Sequence, residues 1–69
     1  MLKIAEAREN IFYYDLDSGY VYLSGLGQAP YRAYNTMPEK FETVNSAKLA
    51  LQERWGEVVG FRLLDDLER

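Results

Sequence analysis

The chain contains no cysteine and no histidine. Without cysteine it forms no disulfides and no thiolate metal cage, and without histidine it offers no imidazole ligand, so zinc ribbons and their relatives are excluded. The same absences remove the most effective nucleophile and the most common general base. Carboxylates, lysines, tyrosines and hydroxyls are what remain for acid–base or nucleophilic chemistry. Long apolar runs are missing as well, and none approaches the roughly 20 residues that span a bilayer. The start, Met1-Leu2-Lys3-Ile4-Ala5-Glu6, is charged and lacks the apolar centre of a signal peptide, so the expected location is cytoplasmic. Positive charge is in short supply: 8 Lys and Arg face 11 Asp and Glu, a net charge of −3. A nucleic-acid binder normally carries a basic surplus to replace counterions on the phosphates, so direct DNA or RNA binding is disfavoured.

What is present fits one globular domain, residues 1–69. Apolar residues make up 48% and charged residues 28%, which is not the composition of a disordered tail. A chain of 69 residues buries only about 60% of the surface its unfolded form exposes, so it needs a good core or a second subunit. The compositional anomaly is six tyrosines, amphipathic side chains that are enriched at interfaces.

Local signals give an order of elements. Residues 2–8 mix the alternation of an edge strand with good helix formers, and of the two a strand is expected. Asn10-Ile11-Phe12-Tyr13-Tyr14 and Tyr20-Val21-Tyr22-Leu23 are aromatic and β-prone. The intervening Asp15-Leu16-Asp17-Ser18-Gly19 supplies turn-capping carboxylates and a glycine for positive φ, which predicts a β-hairpin. If Asp15 faces Tyr20, then Phe12, Tyr14, Val21 and Leu23 share one face, while Ile11, Tyr13, Asp15, Tyr20 and Tyr22 share the other. A loop one residue shorter would mix the two sets. After a Gly25–Gly27 break, residues 29–34 predict a third strand with Pro30 at its start.

A helix is predicted over 44–55, with Thr43 as N-cap, Phe41 just before it and Gly56 as a left-handed stop. A rotation of about 100° per residue places Val44, Ala47, Ala50, Leu51 and Trp55 on one stripe, opposite Asn45, Ser46, Leu49, Gln52 and Glu53. Such a stripe is the domain's own core rather than a groove-binding face. Residues 58–64 read as a strand with Val59, Phe61 and Leu63 on one side, and residues 65–69 as an acidic, frayed tail. The fold class is α+β: a two-layer domain with a mostly antiparallel sheet of three to four strands and one helix on one face.

Candidate chemistry is sparse. Asp15, Asp17 and Gly19 echo the start of a calcium loop, but the twelfth position, where a bidentate glutamate belongs, is Leu26. Turn capping explains these residues, and no metal site is expected. Gly25-Leu26-Gly27 is half a dinucleotide fingerprint, with Pro30 at the third glycine position and no helix following, so no cofactor is expected either. No inward pair of acidic residues is evident, Ser24 and Ser46 have no base nearby in sequence, and a domain of this size has little room for a pocket of roughly 300 Å³. The expectation is a protein that is not an enzyme.

One helix covers one side of a sheet. The other side, carrying Tyr13, Tyr20 and Tyr22 beside Asp15, is expected to meet a protein partner. The acidic positions Asp15, Asp17, Asp65, Asp66 and Glu68 would orient that partner or imitate nucleic-acid phosphates. In length, charge and layout the chain resembles the small acidic proteins of phages and mobile elements, including the anti-CRISPR proteins. That resemblance implies an inhibitor or modulator of a larger host complex. The strand order also resembles the small arm-type DNA-binding domain of phage integrases, but those display Lys and Arg where this sheet is expected to display Tyr and Asp. The structural alternative is a homo-oligomer, such as a homodimer, that buries the same face.

Overall fold

The computed structural model describes residues 1–25 and 27–64. The N-terminal segment is a strand, β1 (Leu2–Ala7), paired antiparallel with β2 (Asn10–Tyr14). A bulge between Lys3 and Ala5 puts Ile4 and Ala5 side by side in the core, both fully buried. The bulge explains why the segment lacks clean strand alternation: one extra residue absorbs the break in period. The connection back to β2 is a two-residue turn in which Arg8 takes a φ of 59°. An L residue there costs on the order of 1 kcal/mol, and the absence of glycine hides the turn from sequence inspection.

The second hairpin has the expected register. In β3 (Val21–Ser24), Leu23 faces Phe12, Tyr22 faces Tyr13 and Val21 faces Tyr14. Its loop is closed by Asp15 N–H donating to Tyr20 O at 3.0 Å and Gly19 N–H to Asp15 O at 2.8 Å. Gly19 has a φ of 82°, and a side chain there would collide with the Phe41 carbonyl oxygen. Two shorter strands complete the sheet: β4 (Tyr31–Arg32) beside β3, and β5 (Phe61–Leu63) on the far side of β1. Among the described residues the order is β4-β3-β2-β1-β5, all neighbours antiparallel, five strands where three to four were expected.

The helix α1 (Val44–Trp55) has the expected bounds, with Ser46 N–H donating to the Thr43 side chain at 3.1 Å. Ala47 and Leu51 are fully buried, Val44, Ala50 and Trp55 pack against the core, and Asn45, Ser46, Leu49, Gln52 and Glu53 are exposed. Trp55 meets Phe12 edge-on at 5.0 Å, and Phe12 meets Phe61 at 6.2 Å, so the aromatic centre joins helix, central strand and edge strand. The fold class is therefore α+β, one helix on an antiparallel sheet, and no described helix is long and apolar enough to cross a membrane.

Two expectations about the C-terminal third are corrected. Gly56 is right-handed (φ −58°), and the reversal is made by Gly60 at φ 86°, with a turn between in which Val58 N–H donates to Trp55 O. Val58 and Val59 consequently lie in that turn and are exposed, 70% for Val59, and the strand expected over 58–64 shrinks to three residues. The strand expected over 29–34 is likewise only Tyr31–Arg32, because Ala33 turns inward and begins a loop that carries the fully buried Met37.

Candidate functional site: the uncovered sheet face

The strand register sorts the sheet into two sides. Phe12, Tyr14 and Val21 are buried in the core on the side of the sheet that meets α1, and Leu2 and Leu23 are packed against that core. On the other side, Ile11, Tyr13, Tyr20 and Tyr22 are half-buried, as the hairpin register requires. Tyr14 is excluded from that side by its role within the fold. Its hydroxyl donates to Phe41 O at 2.6 Å, tying the hairpin to the chain entering the helix.

The structure adds to this face residues that the hairpin sequence did not reveal. Lys3 on β1 is opposite Tyr13, Tyr13 is opposite Tyr22, and Tyr22 is opposite Arg32 on β4. Directly opposed residues share a face, so Lys3, Tyr13, Tyr22 and Arg32 form one row across four strands. A second row places Arg62 beside Glu6, with Ile11 and Ser24 following. Arg62 Nε donates to Glu6 Oε2 at 2.7 Å, so this pair neutralises itself. Ser24 is buried and donates to Gln28 O at 2.6 Å.

Arg32 is the electrostatic centre of the face. Its guanidinium carbon lies 3.5 Å from the centre of the Tyr20 ring and 4.3 Å from that of Tyr34, two cation–π contacts on one side chain. Nη1 donates to the Tyr34 hydroxyl at 3.1 Å and Nη2 reaches Pro38 O at 3.5 Å, both neutral acceptors. Its Nε is buried without a hydrogen-bond partner, and so is Thr36 Oγ1 in the following loop. A hollow of about 320 Å³ lies along this edge, lined by Leu23, Tyr31, Ala33, Tyr34 and Thr36 as well as Arg32. It is larger than chain length suggested, but it contains no carboxylate.

The acidic candidates are placed differently. Asp15 follows Tyr14 at the end of the face, but its carboxylate is turned to its own loop, accepting from Asp17 N–H at 3.0 Å and from the Ser18 hydroxyl at 3.1 Å. Asp17 is exposed at the loop tip. Asp65, Asp66 and Glu68 lie outside the described residues. Glu39, next to Pro38, gives its carboxylate to Arg54, whose guanidinium pulls its pKa from 4.5 down to about 2. Among the described residues no group of three or more acidic side chains could hold a metal ion.

The face is therefore tyrosine and cation rather than tyrosine and aspartate. Nothing in the hairpin sequence could have supplied Lys3 or Arg32, since both come from strands whose pairing is set by the rest of the chain. No family model matches the chain, and searches of curated proteins and of solved structures return no significant match.

Proposed function

We propose that this chain is a non-enzymatic protein-binding module, one that inhibits or modulates a larger protein complex in the manner of the anti-CRISPR proteins. The observation that carries this reading is the sheet face turned away from α1, on which Tyr13, Tyr20 and Tyr22 stand half-buried in one patch. Tyrosines held on rigid strands offer large contact area at low entropic cost, which is the composition of binding hot spots. Steric blocking is better supported than phosphate mimicry, because Asp15 is engaged within its own turn and the cations Lys3 and Arg32 flank the tyrosine row. The proposed setting is cytoplasmic.

The test is affinity capture from bacterial lysate with wild type and a Tyr13→Ser/Tyr22→Ser variant whose fold is verified by its melting curve. Tyr20 is kept because its ring carries Arg32. Capture of one complex by wild type alone places the interface on this face. If neither protein captures anything and light scattering shows a dimer that survives dilution, the tyrosines serve self-assembly and the inhibitor reading falls.

A further inference from the structure

We infer that the partner segment received by the tyrosine row is acidic: an extended stretch of protein with two carboxylates about four residues apart, one seated on Arg32 and the other on Lys3. This rests on the protein-binding reading above and deepens it. The whole chain and this one face differ in the sign of their charge. The protein carries a net charge of −3, yet among the described residues the charges on this face of the sheet are Lys3, Arg32, the Arg62–Glu6 pair and Asp15. The pair cancels internally, and the Asp15 carboxylate is occupied by its own loop. The unneutralised groups are the two cations.

Arg32 carries the stronger signal. A guanidinium held against two aromatic rings is partly stripped of water, which raises the energy of leaving it without a counter-charge. Its described acceptors are a phenol and a carbonyl, both neutral, so the guanidinium has no counter-charge among them. The carboxylate of Glu39, one residue beyond the Pro38 carbonyl, is bonded to Arg54 instead. Lys3 is exposed and makes no ion pair among the described residues. Arginine and lysine so placed are receptors for carboxylates, the arginine by a planar pair of N–H donors and the lysine as a point charge.

Spacing sets the rest. Lys3 and Arg32 are three strand-to-strand steps apart, roughly 14 Å at about 4.8 Å per step. An extended chain rises about 3.4 Å per residue, so side chains four residues apart match that span. The residues between would lie over Tyr13 and Tyr22. An acidic peptide is favoured over nucleic acid because a polyphosphate must also approach a chain of net negative charge, and among the described residues this face offers it only Lys3 and Arg32 to replace its counterions.

The experiment is selection from a random peptide library on the wild-type protein, followed by titration of the enriched peptides against Lys3→Glu and Arg32→Gln variants. The expected result is enrichment of Asp or Glu at a spacing near four, with affinity falling roughly tenfold in either variant and falling again as salt is raised. Lys3→Glu is the cleaner variant because Lys3 is exposed, and its compensation by a peptide with Lys at one acidic position is also expected. Enrichment without acidic residues, no enrichment, or equal binding by Lys3→Glu each overturns the inference. So does a dodecamer of single-stranded oligouridylate that binds more tightly than the best peptide. A complex captured from lysate that depends on Tyr13 and Tyr22 but not on Lys3 overturns the acidic segment while leaving the protein-binding reading intact.

Discussion

The two faces of the sheet are built from the same strands by alternate residues, and they differ in what completes them. On one side Phe12, Tyr14 and Val21 are buried in one core with Ala47 and Leu51 of the helix, and Trp55 packs edge-on against Phe12. Even the polar atom on this side, the Tyr14 hydroxyl, has its acceptor inside the chain. On the other side Tyr13, Tyr20 and Tyr22 remain half-exposed, and Arg32 among them has an unmatched donor. A side that is closed and satisfied reports on folding, and under the proposed function the other side reports on recognition. Mutations should therefore separate the two, with stability responding on one face and binding on the other.

The largest expected effect is on the closed side. Trp55→Ala removes the ring packed edge-on against Phe12 at 5.0 Å and should destabilise by about 3–5 kcal/mol, enough to unfold much of so small a domain. A denaturant melt measures this, and a loss below about 1 kcal/mol would break the assignment of this face as the core. Tyr14→Phe is next. It leaves the partly buried Phe41 carbonyl without the phenolic donor at 2.6 Å and should cost about 1 kcal/mol by the same measurement.

On the open side, Tyr13→Ser and Tyr22→Ser should each change stability by no more than about 1 kcal/mol, the scale of a cross-strand pair, while abolishing partner capture. A larger loss would mean that this face also supports the fold, and the comparison would blur. The smallest effect belongs to neither face. Glu39 has its pKa lowered from 4.5 to about 2 by Arg54, so its pairing stabilises the fold above the unfolded value. That contribution fades as pH falls from 4.5 towards 2. Glu39→Gln should lower the melting temperature slightly at neutral pH, flatten its acid limb within that window and converge with wild type towards the acid end; an unchanged limb would show that the exposed pair contributes nothing.

The difference between the faces also explains what could be seen in the sequence. The hairpin was legible because its loop carries its own instructions: Asp15 caps the turn, Gly19 supplies positive φ, and the flanking strands alternate cleanly. The helix was legible for the same local reasons, an N-cap threonine and a stripe at helical period. Failures came where geometry depends on distant residues. The apolar Val58-Val59 pair reads as strand, yet the chain needs those residues to turn from the helix, and Gly60 rather than Gly56 takes the left-handed position. Gly60 interrupting that apolar run was the available signal. In the candidate site the tyrosines were legible from hairpin alternation. Their cationic neighbours were not, because Lys3 lies beyond a bulge and Arg32 sits in a strand of two residues.

The pairing of β1 with β5 fixes an order of events during synthesis. The ribosome makes β1, β2 and β3 early, and two successive hairpins can join them at once with little loop entropy. The outer edge of β1 meets its partner only after Leu63 has been made, bonded through Ala5, Glu6 and Ala7. Until then the nascent meander exposes both an open strand edge and the apolar side awaiting the helix, the combination most prone to pairing with other chains. Closure by the last strand covers that edge, so a nascent chain stalled before Phe61 is the form of this protein most exposed to aggregation.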